Sequence, residues 1–270
     1  MKDFPAGSVW LVGAGPGDPE LLTLKAQRLI GAGNVIFYDA LIGGDILDLA
    51  SADARLVYVG KRSGRHSQNQ QDIDQLIVKA AKEGARVVRL KGGDPSIFAR
   101  AAEELDACRA AGVEAWICPG ITAASAASAA LGTSLTLRGL ARKLVFVTAH
   151  VRAGEELDLD WQTLADPQAT LAVYMGKSSA GLLSRQLIDA GLPPSTPVAM
   201  VENASLGTQR SFCTRLDLLP LVAKTALGDG PAILLIGESL RQRGQEGALL
   251  AIREHAAKLS IPAPRDEAVI

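Results

Sequence analysis

Two glycine-rich turns, each directly after a short apolar run, are the places in this sequence where chemistry has most room. Gly13-Ala14-Gly15-Pro16-Gly17-Asp18-Pro19 follows residues 9–12, and Gly92-Gly93-Asp94-Pro95 follows residues 87–90. Gly13, Gly15 and Gly17 invite comparison with a dinucleotide-binding loop, and Asp39 stands at about the separation of a ribose-binding carboxylate. The match fails at two positions. Asp18 occupies the place of the third glycine, and Pro16 removes an amide donor, so a pyrophosphate is poorly served while a rigid wall against an uncharged ligand fits. In the second turn two small residues admit a ligand, and Asp94 can accept hydrogen bonds from an amine or hydroxyl. The second turn alone reads equally well as a structural corner; the two together point to a small-molecule pocket.

Lys61, Arg62, Arg65, Arg89, Lys91 and Arg100 lie in sequence around these turns. Guanidinium groups match carboxylates bidentately, so the grouping suggests an anionic, carboxylate-rich small substrate; the plainer alternative is a solvated face. Arg100 stands out because it follows the second turn on an expected helix, with Glu103 one turn later to orient it. Asp39 reads as a base or ligand hook, or as an ordinary strand-terminal carboxylate, and Lys61 as an acid or anchor. His66 follows the basic loop and is a candidate substrate contact, His150 lies near the expected domain junction, and His255 reads as exposed. Met175 either fills core or touches an apolar or sulfur-bearing ligand. No serine sits in a nucleophile elbow and no cysteine has an evident histidine partner, which disfavours hydrolase chemistry.

The elements that position these groups alternate between strand and helix. Apolar runs at 9–12, 35–38, 56–59, 87–90 and 116–118 read as strands, with helical periodicity at 21–30, 73–80 and 99–111 between them. Strands at 144–148, 170–174, 197–201 and 232–236 suggest a second sheet, with helices at 182–190 and 216–221 and an irregular stretch at 157–164. A chain of 270 residues hides roughly 70–75% of its extended surface, near the size at which one core divides into two. The expected organisation is therefore an N-terminal α/β domain over 1–138, a C-terminal α/β domain over 139–242 and a polar extension over 243–270. In a wound sheet the segments at 13–19, 39, 60–66 and 92–95 all follow strands and should converge on one carboxyl edge.

With 28 basic and 29 acidic side chains the net charge is −1, which leaves no electrostatic footprint for nucleic acid or an anionic membrane. Three cysteines and three histidines without metal-ligand spacing predict neither disulfides nor a metal site, and a reducing compartment fits. The N-terminus lacks an uninterrupted apolar stretch, and no 18 apolar residues run together, so a soluble, cytoplasmic protein is expected.

Taken together, VGAGPGDPELLTLKA at 12–26, FYDALI at 37–42, YVGKRSGRHSQNQ at 58–70, VVRLKGGDPSIFAR at 87–100, PGITAASAA at 119–127, YMG at 174–176, TPVAMVENAS at 196–205 and PAILLIG at 231–237 resemble the uroporphyrinogen-III C-methyltransferases of the tetrapyrrole methylase family. The resemblance implies two α/β domains of the tetrapyrrole methylase type with S-adenosylmethionine in the interdomain cleft, in a homodimer, and no metal. It implies methyl transfer to carbons 2 and 7 of uroporphyrinogen III, giving precorrin-2 and S-adenosylhomocysteine. Cofactor contacts carry over to Pro16, Gly92, Gly93, Asp94, Ile97, Thr122, Ala123, Met175, Ala204 and Ala232. Acid/base roles carry over to Asp39 and Lys61, and substrate binding with proton removal to Arg100, supported by Glu103. Arg62, His66 and Arg138 are the further substrate contacts expected.

The sequence departs from the family pattern in places. It has Phe98-Ala99-Arg100-Ala101-Ala102-Glu103-Glu104 where FGRGGEE is usual, Leu137 where a histidine precedes Arg138, Ala149 in place of the glycine of TGH, and Ala204 in place of another glycine. Added methyl groups narrow a cleft, and losing a histidine removes a polar contact, so rate and substrate preference are more exposed to these changes than cofactor binding. The additional domain of bifunctional sirohaem synthase is not seen, so methylation alone is expected, and the product serves sirohaem, cobalamin or haem d1 synthesis.

Overall fold

The computed structural model describes residues 4–60, 69–150 and 157–241; Lys61, Arg62, Arg65, His66, His255 and the expected extension from 243 lie outside these described residues. The described residues fall into two compact units, divided after Ala126, with Ser205–Gly207 belonging to the first.

The first unit contains β1 (Ser8–Gly13), α1 (Leu24–Ala32), β2 (Val35–Tyr38), α2 (Gly44–Leu47), β3 (Arg55–Tyr58), α3 (Gln70–Lys82), β4 (Arg86–Lys91), α4 (Ala101–Ala110) and β5 (Ala115–Cys118), after which α5 (Ala123–Leu131) leads out of it. Its five strands are parallel in the order β3-β2-β4-β1-β5. Every residue of β1 is buried, as a strand covered on both faces requires, and this explains its unbroken apolar run. Alternation divides the core. Trp10, Val12, Val88 and Leu90 face α1 and α2 through Leu29, Ile30 and Ile46, whereas Val9 and Val87 face α3 and α4 through Ile73, Ile77 and Cys108.

The expected helix from residue 21 starts later, at Leu24. Asp18 accepts the Glu20 amide at 2.9 Å and opens a short 3-10 turn over Pro19–Leu21, and the Thr23 hydroxyl then accepts the Ala26 amide at 3.1 Å and begins α1 afresh. Helix α3 opens on a capping box between Asn69 and Asp72.

The second unit contains β6 (Lys143–Thr148), α6 (Trp161–Leu164), β7 (Ala169–Tyr174), α7 (Ala180–Asp189), β8 (Pro197–Glu202), β9 (Arg210–Arg215), α8 (Leu219–Thr225) and β10 (Ala232–Ile236). The sheet order is β6-β7-β10-β8-β9, with β6 and β7 parallel and the other pairs antiparallel. Leu171, Val173, Leu183, Leu187, Met200 and Leu234 form its core. Burying a leucine such as Leu187 contributes about 1.5–3 kcal/mol. Strand β9 was not expected, and α6 lies in the stretch read as irregular, started by Asp160 accepting the Thr163 amide at 3.1 Å. No helix among the described residues is long and apolar enough to cross a membrane.

Candidate functional site

Because β1 and β4 are parallel neighbours with Gly13 opposite Lys91, the turns that follow them leave the sheet side by side. They are joined directly. The Gly93 amide donates to the Gly15 carbonyl at 2.7 Å, the Gly15 amide donates back at 3.2 Å, and the Ala14 amide donates to the Lys91 carbonyl at 2.9 Å. The turn after β5 closes against both. A Cβ built on Gly13 would lie 2.6 Å from the Gly120 nitrogen and 2.7 Å from the Gly93 oxygen, and one on Gly120 would lie 2.3 Å from that same oxygen. Three loops thus meet backbone to backbone where no side chain fits.

Asp94 ties this clasp together. Its Oδ2 accepts the Gly120 amide at 3.0 Å and its Oδ1 accepts the Ser96 amide at 2.8 Å. Pro16 is half-buried, and Thr122 directly precedes α5, which opens at Ala123 and whose first-turn amides lack acceptors within the helix. Pro16 withholds from the first loop an amide that a phosphate would use, so the loop suits an uncharged ligand better.

Asp39 directly follows β2 on the same carboxyl edge. Its Oδ1 accepts the Leu41 amide at 3.1 Å, and its Oδ2 accepts a bond from Arg89 Nη2 at 3.1 Å. Arg89 and Lys91, grouped by sequence with the substrate cations, do not reach solvent: their side chains are 6% and 5% exposed, and both bind the buried Glu104. The reason is strand alternation. Central β4 directs Arg89 and Lys91 to the same face as Val87, beneath α4, so they pair inside the fold instead of lining a surface. Burial, with Arg89 beside it, pushes Lys91 below the ordinary lysine range against the pull of Glu104.

Arg100 is the N-cap of α4 and half exposed, its Nε and Nη2 donating to Glu103 at 2.7 and 2.6 Å. The Glu103 carboxylate pushes it further above the ordinary guanidinium range, so it stays a cation. The segment before it is strained: Phe98 (φ 50°) and Arg100 (φ 58°) are both left-handed, at about 1–2 kcal/mol each. Ile97 is held by its amide donating to the Asp94 carbonyl at 3.1 Å. Ala99, Ala101 and Ala102 have no positive φ, so alanine in place of glycine adds no backbone strain there; the same holds for Ala204.

In the second unit, antiparallel pairing brings the start of β10 beside the ends of β7 and β8, with Ala232 opposite Glu202 and Ile233 opposite Tyr174. Met175, Ala204 and Ala232 therefore share one edge of that sheet. The edge carries two left-handed residues of this unit, Met175 (φ 55°) and Asn203 (φ 52°). Buried Glu202 braces it: the carboxylate takes a fork from Arg210 and the Gly230 amide at 3.1 Å, fixing the turn before Ala232. Arg138 is exposed on a tight turn closed by mutual Leu137 and Ala141 hydrogen bonds of 2.9 and 2.8 Å, and His150 is exposed after β6.

Three contributors escape sequence reasoning: Gly120 as the third side of the clasp, the Arg89–Glu104–Lys91 cluster, and the Glu202 brace. The signal for the second was present, since two cations spaced two apart inside an apolar strand run must share a buried face.

The sequence profile of the tetrapyrrole (corrin/porphyrin) methylases matches residues 8–220. The siroheme synthase of Methylococcus capsulatus is 47% identical over 238 residues, covering 88% of this chain and 50% of that protein. The S-adenosyl-L-methionine-dependent uroporphyrinogen III methyltransferase, chloroplastic, of Arabidopsis thaliana is 44% identical over 237 residues, 87% of this chain and 64% of the relative. Among solved structures, uroporphyrin-III C-methyl transferase from Thermus thermophilus complexed with S-adenyl homocysteine superposes with a TM-score of 0.74 at 37% identity, covering 87% of this chain and 99% of that one. The chain spans about half the length of the siroheme synthases it matches.

Proposed function

As this chain belongs to the tetrapyrrole (corrin/porphyrin) methylase family, we propose that it methylates uroporphyrinogen III at carbons 2 and 7, using S-adenosylmethionine and giving precorrin-2. The observation that carries this reading is the clasp of Gly13, Gly93 and Gly120, three loops meeting backbone to backbone on the edge where Asp39 follows its strand. When bound, S-adenosylmethionine supplies a methyl group already activated on a sulfonium sulfur and departs as S-adenosylhomocysteine.

Pro16, Gly92, Gly93, Asp94, Ile97, Thr122 and Ala123 hold the cofactor in the first unit, and the resemblance assigns Met175, Ala204 and Ala232 to it in the second. Each transfer forms a carbon–carbon bond from the electron pair of a pyrrole double bond, and the macrocycle then loses one proton. Asp39 is our choice for accepting that proton. Arg100 is a poor base because it is held protonated; half exposed and paired with Glu103 across one helix turn, it exchanges Glu103 for a substrate carboxylate at little cost. Lys61, Arg62, His66 and Arg138 remain substrate or proton-donor candidates on the resemblance alone. We further propose a homodimer, which sedimentation would report as about twice the 28.2 kDa chain mass.

The test of position is carbon-13 NMR of the product made with methyl-labelled S-adenosylmethionine. Labelled methyls on carbons 2 and 7 support the reading, and label at other carbons transfers the chain to a later corrinoid step.

A further inference from the structure

The buried cluster beneath α4 has a shape that the proposed reaction does not yet use. Arg89 donates in three directions: Nε to Glu104 Oε1 at 3.1 Å, Nη1 to the Leu90 carbonyl at 2.6 Å, and Nη2 to Asp39 Oδ2 at 3.1 Å. Glu104 is shared, its Oε2 accepting from Lys91 Nζ at 2.7 Å. Two cations and two carboxylates balance. Arg89, Lys91 and Glu104 are 6%, 5% and 1% exposed, whereas Asp39 is 25% exposed, so three members are sealed and the fourth reaches the surface. Charges this deep are costly, and apolar residues on a central strand would serve packing at least as well.

We infer that Arg89 is a positioning residue for Asp39. Locked from behind by Glu104 and the Leu90 carbonyl, the planar guanidinium fixes one carboxylate oxygen of Asp39 while the Leu41 amide fixes the other, so the carboxylate holds a single orientation toward the departing proton. The adjacent Glu103 grips Arg100 from the same turn of α4. One helical turn thereby sets both the carboxylate that accepts the proton and the arginine that anchors the substrate. This inference rests on the proposed methyl transfer.

A double-mutant cycle tests it. Arg89→Lys keeps the buried charge but loses the fork; Asp39→Asn removes the basic oxygen. Turnover of uroporphyrinogen III with S-adenosylmethionine is measured for wild type, both single variants and the double variant, and calorimetry gives S-adenosylhomocysteine affinity for each. Arg89→Lys should lower kcat about tenfold or more with that affinity changed less than about threefold, and in the Asp39→Asn background the same substitution should change kcat less than about twofold. If Arg89→Lys does not fold, Glu104→Asp, which withdraws the locking carboxylate by one methylene, should show the same non-additivity. Equal factors in both backgrounds, or affinity falling in step with kcat, would overturn the inference by making the cluster merely structural. An Asp39→Asn variant as active as wild type overturns it while leaving methyl transfer intact; an inactive wild type overturns both.

Discussion

Adding a single methyl group at Gly93 or at Gly120 probes the loop clasp by two separate mechanisms. At Gly93 there is room, since the nearest atom to a built Cβ is the Thr122 Cα at 3.9 Å, but φ is +69°. The substitution Gly93→Ala therefore costs only the left-handed backbone term, about 1–2 kcal/mol. At Gly120 the backbone is unstrained but the methyl would stand 2.3 Å from the Gly93 oxygen and 2.9 Å from the Gly13 Cα. Those atoms are main chain and cannot rotate away, which puts Gly120→Ala at or beyond the top of the usual overpacking range of about 1–3 kcal/mol. At about 4 °C per kcal/mol for a unit of this size, Tm should fall roughly 4–8 °C for Gly93→Ala and roughly 12 °C or more for Gly120→Ala. Differential scanning calorimetry of the two variants decides the matter. A larger loss at Gly93, or no loss at Gly120, refutes the backbone-to-backbone account.

Removing the charge of Glu202 should destabilise the second unit, because Arg210 and the Gly230 amide lose a charged acceptor; as Arg210 can return to water, Glu202→Gln costs about 1–3 kcal/mol by chemical denaturation. Burial alone pushes the Glu202 carboxyl up, but Arg210 and the Gly228 and Gly230 amides outweigh it and hold the group below the ordinary glutamate range. Its contribution is thus fully present above that range and is lost as pH falls through the lowered value, so the acid stability curve of Glu202→Gln should be flatter there. Met175→Gly relieves a left-handed methionine that is 45% exposed, so thermal stability should hold or rise by about 1 kcal/mol while S-adenosylhomocysteine affinity by calorimetry weakens. Unchanged affinity would remove Met175 from the cofactor site. Burial, with Glu104 and Asp74 adding to it, pushes the Cys108 thiol up to about 11, and it is 2% exposed. Ellman's reagent at pH 8 should leave it unmodified in the native protein, with mass spectrometry of peptides locating any label.

Most strands of both sheets were readable because buried strands need continuous apolar runs, as at 9–12, 35–38 and 170–174. Strand β9 was hidden because it is an edge strand, arginine at both ends and largely half-buried, with only β8 beside it. The start of α1 was misread because Leu21 and Leu22 fit the helical period, while the cap that decides the matter is a hydroxyl at Thr23. At the site, residue type pointed correctly to the two glycine turns, yet their third partner Gly120 is distant in sequence and only strand order brings it in. Arg89 and Lys91 show the limit of counting charge along a chain: alternation puts them on one face, but whether that face is covered depends on β4 being central, and that is a property of the sheet.

Methyl transfer itself is tested most directly by anaerobic incubation of the purified chain with S-adenosylmethionine and fresh uroporphyrinogen III, counting the methyl groups gained by mass spectrometry. The proposed function predicts two, each replacing one hydrogen of the macrocycle. An unchanged macrocycle, with S-adenosylhomocysteine shown to bind and a control methyltransferase turning over beside it, would contradict it.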